Sequence, residues 1–110
     1  MLKGLGDLGK LGAVLKQAME MKQRIEELRA RLAQETMEGS AGGGAVRVVV
    51  NGALEIQSLV IDPELCNPDD LPLLQEMIIG AVNDAVRKMQ AHIKERMTEI
   101  AGIADIPGLV

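Results

Sequence analysis

The chain is most constrained by two neighbouring runs of β-branched and aliphatic residues, which predict a pair of β-strands. The first run covers residues 46–50 and the second covers residues 54–61. Between them stand Asn51 and Gly52, a dipeptide typical of a tight hairpin turn in which both residues have positive φ. The apolar side chains of the second run change parity part-way along. This predicts either a bulge near Gln57-Ser58 or a strand that is covered on both faces.

The sequence on either side of the hairpin predicts one more short strand and two long helices. Residues 11–34 carry apolar side chains at heptad spacing, and a second helical stripe runs over residues 71–101. Residues 35–40 predict a short strand, joined to the hairpin by a run of glycines. We therefore expect one domain over residues 1–110, of the α+β class. Its parts are a long N-terminal helix, a three-stranded antiparallel sheet and a long C-terminal helix.

The two ends of the chain lack such a pattern. Residues 1–10 predict a flexible leader and residues 102–110 a loose tail. The leader contains Gly4-Leu5-Gly6-Asp7-Leu8-Gly9, which matches the dinucleotide-binding fingerprint G-x-G-x-x-G. That fingerprint binds pyrophosphate only where it joins a strand to a helix, and the three residues before Gly4 leave no room for a strand. No cofactor is predicted.

Composition and residue counts exclude several classes of function. No apolar run approaches the roughly 18 residues of a membrane-spanning helix, and the N-terminus does not resemble a signal peptide. The single cysteine, Cys66, cannot form an intramolecular disulfide, and it predicts a reduced, cytoplasmic setting and a thiol at least half-buried in the fold. The single histidine, His92, is predicted to be exposed to solvent. With one Cys and one His, neither a catalytic constellation nor a Cys/His metal site can be assembled. We expect no enzymatic activity and no small-molecule substrate.

Charge is unevenly distributed along the chain. The net charge is −4, but residues 1–34 carry +3, residues 35–76 carry −7, and residues 77–110 are neutral. An acidic middle is thus flanked by two helices with basic stretches, which is more informative than the total. Nine bases on these helices are predicted to contact the phosphates of a DNA duplex. They are Lys16, Lys22, Arg24, Arg29 and Arg31 on the first helix and Arg87, Lys88, Lys94 and Arg96 on the second.

The predicted elements cannot bury all their apolar surface within one chain. Two long amphipathic helices offer more apolar stripe than a three-stranded sheet can cover, and such a sheet leaves two unpaired edges. A symmetric dimer with a joined or stacked sheet and paired helices solves both problems. We therefore expect a homodimer in which the hairpin is a scaffold and the basic helices project from the body.

Several segments, taken in order, resemble the YbaB/EbfC family of nucleoid-associated DNA-binding proteins. After the Gly-rich leader they are residues 16–21 (KQAMEM), 38–44 (EGSAGGG), 48–52 (VVVNG), 60–65 (VIDPEL) and 81–85 (AVNDA). The resemblance covers nearly the whole chain. It implies the same helix, sheet and helix, a tweezer-like homodimer, and binding to double-stranded DNA in the bacterial nucleoid with weak or variable sequence preference. It also implies a role in chromosome organisation and gene regulation, with no cofactor. The nine bases are assigned from charge and helix position, since the family has no universal base-reading motif.

One alternative remains open on the sequence alone. The methionines Met19, Met21 and Met37 and the acidic middle are also typical of an adaptor or small chaperone whose helical arms grip other proteins, because methionine adapts to varied partners.

Overall fold

The computed structural model describes residues 2–104, with side chains over residues 9–100. In chain order the elements are α1 (Leu2–Leu32), β1 (Thr36–Ala41), β2 (Val46–Asn51), β3 (Ile56–Ile61) and α2 (Leu71–Ala104). The predicted α+β class and element order are confirmed. By contacts the chain divides into two compact units, Met1–Ala30 and Arg31–Val110.

Both helices are longer than the sequence predicts. Helix α1 already begins at Leu2, so the segment expected to be a flexible leader is helical from that residue onward. Glycine costs about 1 kcal/mol relative to alanine inside a helix, which explains the shorter prediction, but no proline stops this helix. Helix α2 continues to Ala104, through the first residues of the expected loose tail. The remainder of that tail, residues 105–110, lies outside the described residues.

The sheet buries one face of its central strand against α2. Strand order is β1-β2-β3, with both pairs antiparallel. The alternate valines of β2 are fully buried, as are three residues of α2 spaced at i, i+4 and i+8. These core residues are Val46, Val48, Val50, Ala81, Ala85 and Met89. On β1, Gly39 lies opposite Val48, and a Cβ atom at Gly39 would collide with the backbone nitrogen of Ala85. Glycine is required there because α2 packs directly against the β1 backbone.

The predicted bulge is present in β3. Val49 pairs with Ser58 but Val50 pairs with Ile56, so Gln57 is the extra residue. The bulge restores the parity of the strand, because it places Ile56 and Leu59 on the same side of the sheet as the buried valines of β2. Both nevertheless remain exposed, Ile56 at 56% and Leu59 at 47%. The apolar face of the sheet therefore continues past the area that α2 covers.

The prediction of a tight turn at Asn51-Gly52 is wrong. The loop runs over residues 52–55, and Leu54, with φ 60°, is the one non-glycine residue of the described chain with positive φ. The Asn51 side-chain oxygen accepts hydrogen bonds from the backbone N–H groups of Ala53 and Glu55, both at 3.0 Å, and so stabilises this wider loop.

Gly52 serves packing rather than turn geometry. Its N–H donates to the carbonyl oxygen of Leu32, the last residue of α1, at 3.0 Å. A Cβ at Gly52 would collide with that same oxygen. The loop and the end of α1 are therefore joined backbone to backbone, which no pattern of residues 46–61 could reveal.

Two capping residues, Asp62 and Asn67, shape the connection from β3 to α2. The side chain of Asp62 accepts from the N–H of Glu64, and that of Asn67 accepts from the N–H of Asp70, each at 3.0 Å. Each cap starts one 3-10 turn with a proline in it, over Pro63–Leu65 and Pro68–Asp70. Helix α2 then begins at Leu71.

Candidate nucleic-acid interface

The predicted bases of α1 are all exposed. Lys22 and Arg29 are seven residues apart and share one flank of the apolar stripe, while Arg24 and Arg31 share the opposite flank. Over residues 9–100, no carboxylate oxygen lies within 4.0 Å of these four cations or of Lys16. These five charges are therefore not neutralised by a carboxylate within residues 9–100.

The i,i+4 spacing of Glu20 with Arg24 and of Glu27 with Arg31 favours ion pairs on α1. Neither pair closes within 4.0 Å in the part of the chain that the structure describes, and Glu27 instead accepts a hydrogen bond from Gln23 at 3.4 Å. Exposed pairs of this kind are worth only about 0.3–0.5 kcal/mol, too little to hold two long side chains together.

Two bases of α2 lie beside Asp84. The Lys88 ammonium is 3.1 Å from one Asp84 carboxylate oxygen, and the Arg87 guanidinium is 4.0 Å from the other. The Lys88 Nζ also donates to the carbonyl oxygen of Glu38 at 3.3 Å. A hydrogen bond from the backbone N–H of Ser40, followed by the one from Lys88, lowers the pKa of Asp84 below its ordinary value. Arg87 remains largely exposed at 69%, whereas Lys88 is engaged with the fold.

The other two bases of α2 differ from each other. Lys94 is exposed. Arg96 is only 31% exposed and pairs with Glu35 at 3.3 Å and with Glu99 at 3.5 Å. Its Nε is buried without a hydrogen-bond partner in the described structure. The sequence could not show this arrangement, because Glu35 precedes Arg96 by 61 residues.

His92 is half-buried, contrary to the prediction that it would be exposed. Its Nε2–H donates to the Glu35 carboxylate, with 2.7 Å between the nitrogen and Oε2. Glu35 stands between α1 and β1, so this bond and the Arg96 pair connect that junction to α2. The hydrogen bond from His92 lowers the pKa of Glu35 below its ordinary value of 4.5; Arg96 and Arg31 lower it further, and partial burial opposes them.

The lowered pKa of Glu35 predicts acid-sensitive stability. A carboxyl whose pKa is lower in the folded chain stabilises the fold above its unfolded-state pKa, and this contribution is lost as the pH falls through the folded-state value. We expect the free energy of unfolding of the wild type to fall more steeply below about pH 4.5 than that of Glu35→Gln, which keeps an acceptor for His92 but cannot ionise. Urea unfolding at fixed protein concentration across pH 3–7 measures the difference.

The matched control for this prediction is Glu76→Gln, an exposed position on α2. It should follow the wild-type profile, since Asp84 contributes its own acid dependence equally to all three proteins. Identical profiles for Glu35→Gln and the wild type would show that the junction cluster has no part in acid stability.

Apart from its charged side chains, the described part of the chain has few groups suited to catalysis or metal binding. Cys66 is exposed, which corrects the expectation of a buried or half-buried thiol. Among the residues that the structure describes, no three His, Cys, Asp or Glu side chains are grouped so that they could hold a metal ion. Over the same residues, neither α1 nor α2 is apolar enough over its length to cross a membrane.

Within residues 9–100, exposed large apolar side chains occur on both units, and α1 and β3 each carry several of them. The α1 apolar stripe comprises Leu11, Val14, Leu15 and Met19, which are 54–71% exposed. The β3 apolar edge comprises Ile56, Leu59 and Val60. Contiguous exposed apolar patches on small proteins typically mark interaction surfaces.

A helix with unpaired, exposed bases is the usual electrostatic footprint of nucleic-acid-binding proteins, and the α+β fold presents it on α1. The model of the YbaB/EbfC DNA-binding family matches residues 8–104. A nucleoid-associated protein of Pelotomaculum thermopropionicum is 44% identical over 101 residues, covering 92% of this chain and 96% of the relative. One of Acetivibrio thermocellus is 40% identical over 102 residues, covering 92% and 90%. The chain belongs to the YbaB/EbfC DNA-binding family.

A solved structure supports the same fold. The crystal structure of an uncharacterized protein from Helicobacter pylori is similar at a TM-score of 0.68 and 27% sequence identity, covering 82% of this chain and 91% of that one. The family description and the relatives' names indicate a nucleoid-associated DNA-binding protein rather than an enzyme.

Proposed function

We propose that this chain binds double-stranded DNA as a homodimer, with weak or variable sequence preference, and contributes to chromosome organisation and gene regulation in the nucleoid. The observation that carries the proposal is the row of exposed bases on α1, none of which has a carboxylate oxygen within 4.0 Å over residues 9–100. Such cations bind phosphates, and phosphate contacts carry no direct sequence information. The chain has no Phe, Tyr or Trp and so lacks the usual side chains for stacking on unpaired bases, which favours a duplex.

The nine bases are not expected to contribute equally. The proposal assigns phosphate contact first to the five bases of α1 and to Arg87 and Lys94, because these are exposed and, over residues 9–100, the nearest carboxylate contact among them is the 4.0 Å one between Arg87 and Asp84. Lys88 and Arg96 would have to exchange a carboxylate partner for a phosphate. Each is therefore expected to contribute less to the free energy of DNA binding.

The β3 apolar edge supports the homodimer. Ile56 and Leu59 lie on the same side of the sheet as the buried valines of β2 but remain half exposed. A second copy placed on this edge would cover these side chains and pair the open strand, and two-fold symmetry closes the assembly. A dimer also presents two sets of basic helices to one duplex, which raises the apparent affinity beyond that of either set.

A salt titration of duplex binding by the wild-type protein tests the proposed function. We expect the logarithm of the association constant to fall linearly with the logarithm of salt concentration, by about 0.9 for each phosphate neutralised. Two duplexes of unrelated sequence should give similar slopes and similar affinities. Absence of binding at low salt, or affinity that does not respond to salt, would contradict the proposal.

One observation favours the adaptor as a second candidate. Met19 is 71% exposed within the α1 apolar stripe, whereas Met37 packs against the core. An exposed methionine on a helix suits a varied protein partner. Protein partners that remain bound to the tagged chain after nuclease treatment would favour this reading, and loss of all partners after nuclease would favour DNA.

A further inference from the structure

The outer edge of β1 is covered by side chains of α2. In the strand order β1-β2-β3, β1 has one side without a neighbouring strand. On that side the N–H of Ser40 donates to the Asp84 carboxylate at 3.0 Å. Two residues earlier, the carbonyl oxygen of Glu38 accepts from the Lys88 ammonium at 3.3 Å. A donor and an acceptor that an adjacent strand would use are therefore already occupied.

The packing of α2 explains how these side chains reach the strand. Ala81 and Ala85 are fully buried, and Gly39 has no side chain to hold the helix away. The two polar side chains are also bonded to each other, with 3.1 Å between the Lys88 ammonium and the Asp84 carboxylate. Charge and geometry are thus matched, since the carboxylate faces a donor of the strand and the ammonium faces an acceptor.

The other edge of the sheet is different. Within the described part of the chain, no side chain forms a hydrogen bond with the backbone of Ile56–Ile61. That strand also carries the β3 apolar edge, whereas the exposed Glu38 and Ser40 of β1, which correspond across β2 to Ser58 and Val60, are both polar. Natural sheets discourage unwanted pairing by placing charged groups at an edge, and β1 shows this device while β3 does not.

We propose that Asp84 and Lys88 close the β1 edge against a strand of a second copy of this chain, and so restrict assembly to the β3 edge. The expected occupant of an opened edge is β1 of another copy, because an antiparallel strand pairs with itself under two-fold symmetry. If the homodimer proposed above forms through β3, exposing the β1 edge would allow dimers to associate into larger assemblies. The capping of β1 itself does not depend on that dimer.

The double variant Asp84→Ala/Lys88→Ala tests this proposal by sedimentation velocity over a range of protein concentrations. Its matched control is Lys94→Ala/Glu95→Ala, which removes one base and one acid from exposed positions of the same helix that do not contact Asp84 or Lys88. We expect the control to keep the wild-type mass and the double variant to form species of about twice that mass and above. A double variant with the wild-type mass at every concentration overturns the proposal.

A third substitution separates strand pairing from unspecific aggregation. Ser40→Pro removes the N–H that an incoming strand would use, and proline is tolerated on an edge strand where that N–H faces outward. Placed in the double variant, it should restore the wild-type mass, whereas larger species that persist would contradict pairing at β1. Failure of the β3 dimer is distinguishable, because the wild type would then be monomeric and the double variant would stop at a dimer.

Discussion

Alanine at Arg24, Arg29 and Arg31 is expected to weaken duplex binding by roughly one to two orders of magnitude near physiological salt. These side chains are exposed on both flanks of α1, without a carboxylate within 4.0 Å over residues 9–100. If each neutralises one phosphate, the slope of log affinity against log salt should shrink by about 2.7 when one chain contacts the duplex and by about 5.4 when both chains of the dimer do. Fluorescence anisotropy with a labelled duplex at several salt concentrations measures both quantities, and unequal loss between two unrelated duplexes would indicate sequence reading.

The matched control truncates polar side chains of the same helix without changing charge. Gln17→Ala/Gln23→Ala alters two exposed positions of α1, and alanine favours the helix as well as glutamine does. This variant should bind the duplex with wild-type affinity and slope. A charge-removed variant that keeps the wild-type slope would show that α1 does not contact the phosphates, and the assignment of these bases would fail even if the protein binds DNA.

The features that local periodicity determines were predictable from the sequence. Heptad spacing predicts the C-terminal two-thirds of α1, and Asp62 and Asn67 predict the caps before α2 because a cap bonds to the backbone two or three residues away. The bulge at Gln57 was predictable for the same reason, since a change of side-chain parity within one strand is visible in one run of residues.

Features that depend on contacts between distant segments were not predictable. The Asn51-Gly52 dipeptide is a strong local signal for a tight turn, yet a hydrogen bond from Gly52 to Leu32 and the two bonds accepted by the Asn51 side chain produce a longer loop. His92 lies on a helix flank that the sequence predicts to be exposed, yet it is half-buried and bonded to Glu35, which is 57 residues away in the chain. Tertiary packing outweighs local preference in both places.

The same distinction between local sequence pattern and contacts of distant segments applies to the candidate site. Exposure of the α1 bases follows from their position beside the heptad stripe. On α2, sequence shows four bases but not that Lys88 and Arg96 are bonded to groups on or beside β1. A base that already pairs with a carboxylate in the folded chain contributes less free energy to phosphate binding than an unpaired base does. The structure therefore ranks bases that the sequence alone treats as equal.

Leu59→Glu is expected to dissociate the proposed homodimer. Leu59 is 47% exposed and lies beside Val48 on the apolar face of the sheet, where the second copy would cover it. Burying an unpaired carboxylate is strongly unfavourable, so the dimer dissociation constant should rise by roughly 100-fold or more. Because the side chain is already half exposed in one chain, the monomer fold should persist, with an unchanged circular dichroism spectrum. Sedimentation equilibrium measures the dissociation constant.

The order in which properties are lost decides whether the sheet is a scaffold or part of the DNA contact surface. Leu59→Glu leaves every base of α1 in place, so one monomer keeps its phosphate contacts but loses the second set of helices. Duplex affinity should therefore fall only at concentrations where the variant is monomeric, and recover where it dimerises. Leu73→Glu, at a similarly exposed position outside β3 (44%), should change neither property. Affinity that falls while the variant is still dimeric would mean that β3 itself contacts DNA, and the hairpin would then be more than a support for the helices.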